Sequence, residues 1–216
     1  MTATARDRAG ELETLGKPSN GAQPDIDLEQ PYVVEFEIEG VCPLLFHAWN
    51  NEAVEQKGSS AKGSKAKKTD NVESYVYRNA AGEICLPGTY VYGALCSKKE
   101  GAAKFRQDPR SPRASAVKLF QAACAPLTEL ASLGSKDWDY LDARRVTVQQ
   151  AGITRQRPAF NAGWRAQFQF VVNLPEYVNP HFFQEILTLA GRVVGVGDFR
   201  PTYGRFQVAR FEVLDL

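Results

Sequence analysis

The chain has 216 residues, of which 44% are hydrophobic and 24% are charged, and its formal net charge is +1. A chain of this length can bury a substantial core. So small a net charge excludes a uniformly basic surface, so any nucleic-acid site must come from local clusters of cations.

The four cysteines are not arranged in CxxC pairs, and the only histidines are His47 and His181. This composition argues against a zinc site and favours buried free thiols, so we expect no metal and no cofactor. The N-terminus has no apolar signal-peptide core, and no apolar run approaches the roughly 18 residues that cross a bilayer. We therefore expect a soluble cytoplasmic protein without membrane contact.

The chain opens with a polar stretch, residues 1–30, that we interpret as a flexible N-terminal arm. From Tyr32 to Ile38 apolar residues alternate with glutamates, which predicts a half-buried strand. An apolar segment follows and ends at His47 and Trp49.

Residues 50–71 form a polar segment rich in Ser, Gly and Lys. Its lysines could order against phosphates by releasing counterions, whereas the alternative is a solvated mobile loop. The candidate RNA-binding lysines are Lys57, Lys62, Lys65, Lys67 and Lys68.

The middle of the chain predicts a hairpin over Val72–Leu86 and a helix over Tyr90–Lys99 with Thr89 as its N-cap. A second helix is predicted over Ser115–Leu130, although Pro126 should break or end it. Ile153–Phe160 is interpreted as an irregular insertion that carries Arg155, Arg157 and Phe160.

The predicted elements occur in the βαββαβ order of a ferredoxin-like, or RRM-like, α+β fold. They are Tyr32–Ile38, Tyr90–Lys99, Ala143–Gln149, Arg165–Val172, His181–Arg192 and Gln207–Leu214. Asn179 is the predicted cap of the last helix.

Between that helix and the last strand lies a glycine-rich turn that contains Gly195, Gly197 and Gly204. Glycine permits backbone angles and close approaches that a side chain forbids. Arg200 and Arg205 in this turn could face an anion together with exposed amides. The alternative is a tight connection whose arginines pair with surface carboxylates.

Three segments together resemble the RAMP superfamily of CRISPR-associated proteins, and most closely its RNA-binding backbone subunits. The first is the strand end Gly40–Leu45, and the second is the helix start Leu86–Leu95, which is similar to the motif I-P-G-S-S-L-K-G-x-L-R. The third is the loop Gly195–Arg200 followed by Tyr203-Gly204-Arg205-Phe206, which is similar to the loop written around R-G-Y-G. The resemblance covers roughly residues 31–216.

The resemblance implies a single domain over 31–216 with a ferredoxin-like palm, a finger-like loop at 50–71 and a thumb-like loop at 146–164. It implies RNA lying across the palm and held by backbone contacts and basic residues. The implied partners are a guide RNA and its complementary target strand, copies of the chain along that RNA, and other CRISPR-associated subunits. Trp49, Phe160 and Tyr203 are candidates for stacking on bases, or else for core or interface packing.

The chain also departs from the family. Tyr92 stands where a lysine is usual, and Cys96 where an arginine is usual. The family's cleaving subunits carry an aspartate after the first strand, whereas this chain has Phe46–Asn50 there, so we expect no metal-dependent cleavage.

We therefore expect a non-catalytic RNA-binding backbone subunit. Arg155, Arg157, Arg200 and Arg205 should contribute salt-dependent affinity. One alternative is a stand-alone single-stranded nucleic-acid-binding protein of a phage or mobile element. Another is a metal-independent endoribonuclease with His47 as general base, and a third is a scaffold protein with acidic protein partners.

Overall fold

The computed structural model describes residues 30–48, 71–148 and 151–214. In those residues the strands are β1 (Tyr32–Gly40), β2 (Leu44–Leu45), β3 (Tyr77–Arg78), β4 (Ile84–Pro87), β5 (Gln107–Asp108), β6 (Ser111–Ser115), β7 (Cys124–Pro126), β8 (Leu130–Ser132), β9 (Tyr140–Val148), β10 (Ala151–Phe160), β11 (Arg165–Val172) and β12 (Phe206–Leu214). The α-helices are α1 (Gly88–Cys96), α2 (Val117–Ala123) and α3 (Pro180–Val193), and short 3₁₀ helices cover Val72–Tyr75 and Ala102–Phe105.

The central sheet has the strand order β12-β1-β11-β7, with antiparallel pairing throughout. Helices α1 and α2 lie between β1 and β7 in sequence, and α3 lies between β11 and β12. This is the connectivity of a ferredoxin-like palm, so the predicted α+β fold class is confirmed.

One face of the palm sheet is buried. Apolar and polar residues alternate along β1 and β11, and successive side chains of a strand point to opposite faces, so the apolar ones lie together on the buried face. Phe36 on β1 packs against Phe168 and Phe170 on β11 and against Phe183 on α3, at ring-centroid distances of 5.8, 5.5 and 6.1 Å. The core therefore lies between the sheet and its helices.

Helix α3 begins where the sequence predicts. The Oδ1 of Asn179 accepts a hydrogen bond of 2.9 Å from the backbone N–H of Phe182, and Pro180 stands in the first turn. By contrast, α1 begins at Gly88 after Pro87 and has no side-chain cap, so the prediction that Thr89 caps it is wrong.

The second palm strand is β7, and the prediction of Ala143–Gln149 for this position is wrong. The predicted helix over Ser115–Leu130 ends at Ala123, and the three residues that follow pair with Phe170, Val171 and Val172. Pro126 has no N–H to continue a helix, and at the edge of a sheet it leaves no ladder bond unmade.

Strands β9 and β10 instead form a long antiparallel hairpin outside the palm sheet, and β10 also pairs with β2. Ile153–Phe160 is thus regular strand rather than an irregular insertion. The predicted Val72–Leu86 hairpin is present in shorter form, with β3 paired to β4.

Candidate nucleic-acid interface

The glycine-rich turn between α3 and β12 has backbone angles that few side chains tolerate. Gly195, Gly197 and Gly204 have φ values of 76, 79 and 70°, and Phe199, which carries a bulky side chain, has a φ of 55°. A phenylalanine in the left-handed region is strained, so the surroundings of Phe199 must hold it there.

The close approaches at these glycines are to the protein itself. A Cβ on Gly204 would lie 1.7 Å from the carbonyl oxygen of Val196, and one on Gly197 would lie 2.6 Å from that of Leu45. The turn therefore crosses over itself and lies directly against β2.

Much of the turn's hydrogen bonding is also internal. The N–H groups of Asp198 and Gly204 donate to the carbonyl oxygens of Leu45 and Pro43, at 2.9 and 2.8 Å. The N–H of Val196 donates to the oxygen of Gly204 at 2.9 Å. These three amides therefore form hydrogen bonds within the protein and are not presented to an anion. Through the bond to Leu45, the turn is attached to β2.

One face of the β9–β10 hairpin carries arginines toward this turn. Arg155 is paired with Arg144 and Arg157 with Asp142 in the strand register. Paired residues share a face, as do residues two apart along a strand, so all four side chains lie on one face. We call these four residues, together with Asp198, Phe199 and Tyr203 of the turn, the hairpin–loop cluster.

Arg157 is the most buried cation of the cluster, with 6% of its surface exposed. Its Nε donates to Oδ2 of Asp198 at 2.5 Å, and its Cζ lies 4.3 Å from the centroid of the Phe199 ring. Its Nη1 is buried and has no hydrogen-bond partner among the residues that the structure describes. A buried guanidinium therefore retains donor capacity that its carboxylate does not use.

Arg144 shares the Phe199 ring with Arg157 and also lies over Tyr203. Its Cζ lies 4.5 Å from the Tyr203 centroid and 5.7 Å from the Phe199 centroid. Its Nε donates to Asp142 at 2.7 Å, and its Nη2 donates to the Tyr203 hydroxyl. The hydrogen bond with Asp142 raises the pKa of Arg144 above its ordinary value, so this group stays charged.

Arg155 contacts His47 at the end of the cluster. Its Nη1 lies 2.8 Å from Nε2 of His47, and the imidazole ring lies 4.6 Å from the Tyr75 ring. A guanidinium can only donate, so Nε2 acts as the acceptor and the imidazole proton resides on Nδ1.

The three predicted glycines lie in the turn itself, and the other predicted residues are not members of this cluster. Arg200 pairs with Glu100 at 3.5 Å, and Arg205 lines a groove beside α3. Phe160 is 5% exposed and packs edge-on against Phe46, so its ring lies in the core and has no open face for a base. Trp49 and the five candidate lysines lie outside the described residues, as does the N-terminal arm except for Gln30.

Arg144, Asp142, Asp198 and Phe199 are cluster residues that the sequence predictions did not single out. The alternation Asp142-x-Arg144 in a strand was a signal that both share a face, but not of what that face would meet. The contact between Arg144 and Tyr203 spans 59 residues of sequence and depends on the fold.

The open face of the palm sheet has the opposite character. The charged residues of β1, β11 and β12 are four glutamates and two arginines: Glu35, Glu37, Glu39, Glu212, Arg165 and Arg210. Arg165 pairs with Glu37 and Glu39, and Arg210 pairs with Glu35 and Glu212. This face therefore carries an excess of acid even after its ion pairs are counted.

Among residues 30–48, 71–148 and 151–214, no three His, Cys, Asp or Glu side chains are grouped so as to hold a metal. In the same parts of the chain, no helix combines the length and apolar character that crossing a bilayer requires.

Comparison with known proteins shows a similarity of fold. A scan against protein-family models and a search of curated proteins found no match. Among solved structures, the chain is similar to a chain of the type III-B Cmr-beta cryo-EM structure bound to cognate target RNA. The TM-score is 0.50 at 10% identity, and the alignment covers 87% of this chain and 62% of the other. The chain thus spans less than two thirds of that relative's length.

Proposed function

We propose that this chain binds single-stranded RNA through the hairpin–loop cluster, as a non-catalytic, CRISPR-associated backbone-type subunit that assembles along a guide RNA. Its partners would be the guide RNA, the complementary target strand, further copies of itself and other CRISPR-associated subunits. The finger-like loop at 50–71, with its lysines, and the thumb-like loop at 146–164 belong to this proposal.

The observation that carries the proposal is the stacking of two arginines on the aromatic residues of the turn. Arg144 and Arg157 lie over Phe199, and Arg144 also lies over Tyr203. Three guanidiniums stand against two carboxylates on this face, which leaves positive charge and unused N–H groups for phosphate oxygens. Aromatic rings beside arginines provide stacking that tolerates any base sequence.

The fold similarity to a chain of an RNA-bound complex supports the same assignment at a coarse level. The open face of the sheet is acidic, and glutamates repel phosphates. This favours the hairpin–loop cluster over the open face as the RNA-binding surface. RNA would therefore run beside the palm sheet along the hairpin.

A ribonuclease that uses His47 is less well supported. Its Nε2 accepts from Arg155, and a general base needs that lone pair free to take a proton from the 2′-hydroxyl. A His47→Ala variant tests this alternative directly. RNA cleavage by the wild type that disappears in the variant while binding persists would establish the enzyme.

The main test measures binding of a short single-stranded RNA of mixed sequence by Arg144→Gln, by Arg155→Gln and by the double variant. The control is Arg165→Gln, which removes an arginine from the acidic face. We expect each cluster substitution to weaken binding and to reduce the slope of log K against log salt by about 0.7. The control should retain the wild-type slope. Equal affinities and equal salt slopes in the cluster variants and the control would refute the interface.

Purification from the host under native conditions tests the assembly. A large species that contains RNA of defined length and collapses on RNase treatment supports the guide-bound backbone. RNA of random length would favour the stand-alone nucleic-acid-binding protein, and nucleic-acid-free oligomers would favour the scaffold.

A further inference from the structure

A groove lies between α3 and the free edge of β12, and none of its lining residues belongs to the hairpin–loop cluster. Its volume is about 410 Å³, and it is lined from α3 by Gln184, Thr188 and Arg192. Strand and loop residues complete it: Val41, Arg205, Phe206, Gln207 and Val208. Because β12 pairs only with β1 among the described strands, its other edge offers unpaired backbone groups beside this groove.

The groove is apolar and cationic. Val41 is 52% exposed, although it is an aliphatic side chain. Within the described parts of the chain, Arg192 and Arg205 form no ion pair and no carboxylate lines the groove. An unpaired strand edge beside a helix, with apolar and basic side chains, suits an extended peptide that alternates apolar and acidic residues.

The chain contains such a segment just before β1. Residues 25–29 read Asp-Ile-Asp-Leu-Glu, so Ile26 and Leu28 alternate with three acids. The whole stretch before Gln30 holds six acids and three bases, so its charge is opposite to that of the groove. The alternation is that of a strand with one apolar and one acidic face.

The segment cannot fill the groove of its own chain. Asp27 lies five residues before Tyr32, a span of at most about 18 Å. The groove lies beside the start of β12, where Phe206–Val208 pair with residues of β1 from Gly40 back to Ile38. These partners are six to eight residues along the strand from Tyr32, which is about 20–26 Å. The occupant must therefore come from another molecule.

We propose that Asp25–Glu29 of a second copy of this chain docks in the groove between α3 and β12 by adding a strand to the edge of the sheet. Ile26 and Leu28 cover the exposed Val41 and the half-buried Val208, and the acids pair with Arg192 and Arg205. This contact goes beyond the proposed function because it joins copies without RNA, and its success or failure is independent of RNA binding.

The test measures self-association of the nuclease-treated, full-length protein by analytical ultracentrifugation. Arg192→Glu and Asp27→Lys should each weaken association about tenfold or more, as loss of a close interfacial charge pair does. Combining the two in one chain should restore association to within about threefold of the wild type, because the charges are exchanged. The matched controls are Arg113→Glu, an exposed arginine of β6, and Glu11→Lys, an acid outside the docking segment; both should associate normally.

Recovery in the charge-exchanged variant cannot come from a folding defect, so it separates docking from misfolding. A wild type that remains a single copy at high micromolar concentration would overturn the proposal, as would an Arg192→Glu variant that associates normally. Equal weakening by Glu11→Lys would also overturn it, because the docking segment would then be a different one.

Photo-crosslinking identifies the occupant. A photoreactive residue at Leu28 should yield a product of two chains, attached at α3 or at the start of β12. A single-chain product attached there would place the segment in its own groove and would refute the contact between copies.

Discussion

The Arg157 guanidinium lies over the Phe199 ring, with Cζ 4.3 Å from the centroid, while its Nε donates a hydrogen bond to the neighbouring Asp198. Both partners sit in the glycine-rich turn, whereas Arg157 is on the hairpin. Arg157 therefore contributes to holding the hairpin against the turn, through a charge and a ring supplied by adjacent residues, in addition to the pairing of β10 with β2.

Replacing Arg157 should test that link through stability. We expect Arg157→Met to lower the free energy of unfolding by about 1–3 kcal/mol, because Asp198 loses its partner and Phe199 loses the nearer of its two arginines. The Asp198 side chain is 34% exposed, so hydration compensates for part of the loss. The free energy of unfolding of Arg157→Lys should lie between those of the wild type and Arg157→Met. An ammonium group can pair with Asp198 but cannot stack on a ring as a planar guanidinium does. Urea unfolding measures both, and wild-type stability in both variants would show that the link contributes nothing.

Phe199 should contribute to RNA affinity through the arginines that it supports. We expect Phe199→Leu to weaken RNA binding about three- to tenfold, since Arg157 loses the ring beneath it and Arg144 keeps only the Tyr203 ring. The matched control is Phe105→Leu, which changes a phenylalanine that is 61% exposed and outside the cluster. Fluorescence anisotropy at fixed salt measures the difference, and equal affinities of the two variants would count against the cluster.

Two glycines should respond in opposite ways to the same substitution. Gly204→Ala introduces a Cβ 1.7 Å from the Val196 oxygen at a φ of 70°, so we expect a loss of about 2–5 kcal/mol or failure to fold. Gly93→Ala, within α1, meets no atom within 4 Å and should stabilise the protein by about 0.5–1 kcal/mol. Thermal unfolding compares the pair. Similar midpoints would mean that the turn can move away from the added atom.

The cysteines should differ sharply in reactivity. All four are free; Cys42 is partly exposed, whereas Cys85, Cys96 and Cys124 are buried. Burial raises the pKa of Cys96 to about 11 and also raises the pKa of Cys85 and Cys124. At pH 8 the thiolate fraction of Cys96 is then at least about 100-fold below that of an ordinary cysteine.

Dithionitrobenzoate should accordingly modify one thiol quickly in the native protein and all four in urea. Cys42→Ser should remove the fast phase. Two or more fast thiols in the wild type would contradict the packing around α1 and α2.

The order of elements could be predicted from sequence, because β1, β11 and α3 each show a clear periodicity. The identity of the second palm strand could not be predicted from sequence. β9 has nine residues and β7 has three, so the stronger local pattern belonged to a strand outside the palm. Periodicity identifies a strand but does not say which strand it pairs with.

The candidate site was only partly predictable for a related reason. Arg155, Arg157 and Tyr203 could be named because basic and aromatic residues in a loop or insertion suggest nucleic acid. Their partners Arg144 and Asp198 contribute through contacts between distant parts of the chain, and no local pattern marks such contacts. Phe160, by contrast, packs in the core.

The acidic face of the palm sheet should affect how fast, and in which orientation, the protein associates with a polyanion such as RNA. Glutamates dominate one described surface, while unneutralised arginine charge lies on another, so the described part of the protein has an asymmetric charge distribution although the formal net charge of the chain is only +1. In the field of an approaching polyanion, the protein experiences a torque that turns its arginine surface toward the polyanion. The acidic sheet face repels the polyanion. Productive association should therefore slow as salt is added, even where the final contacts are unchanged.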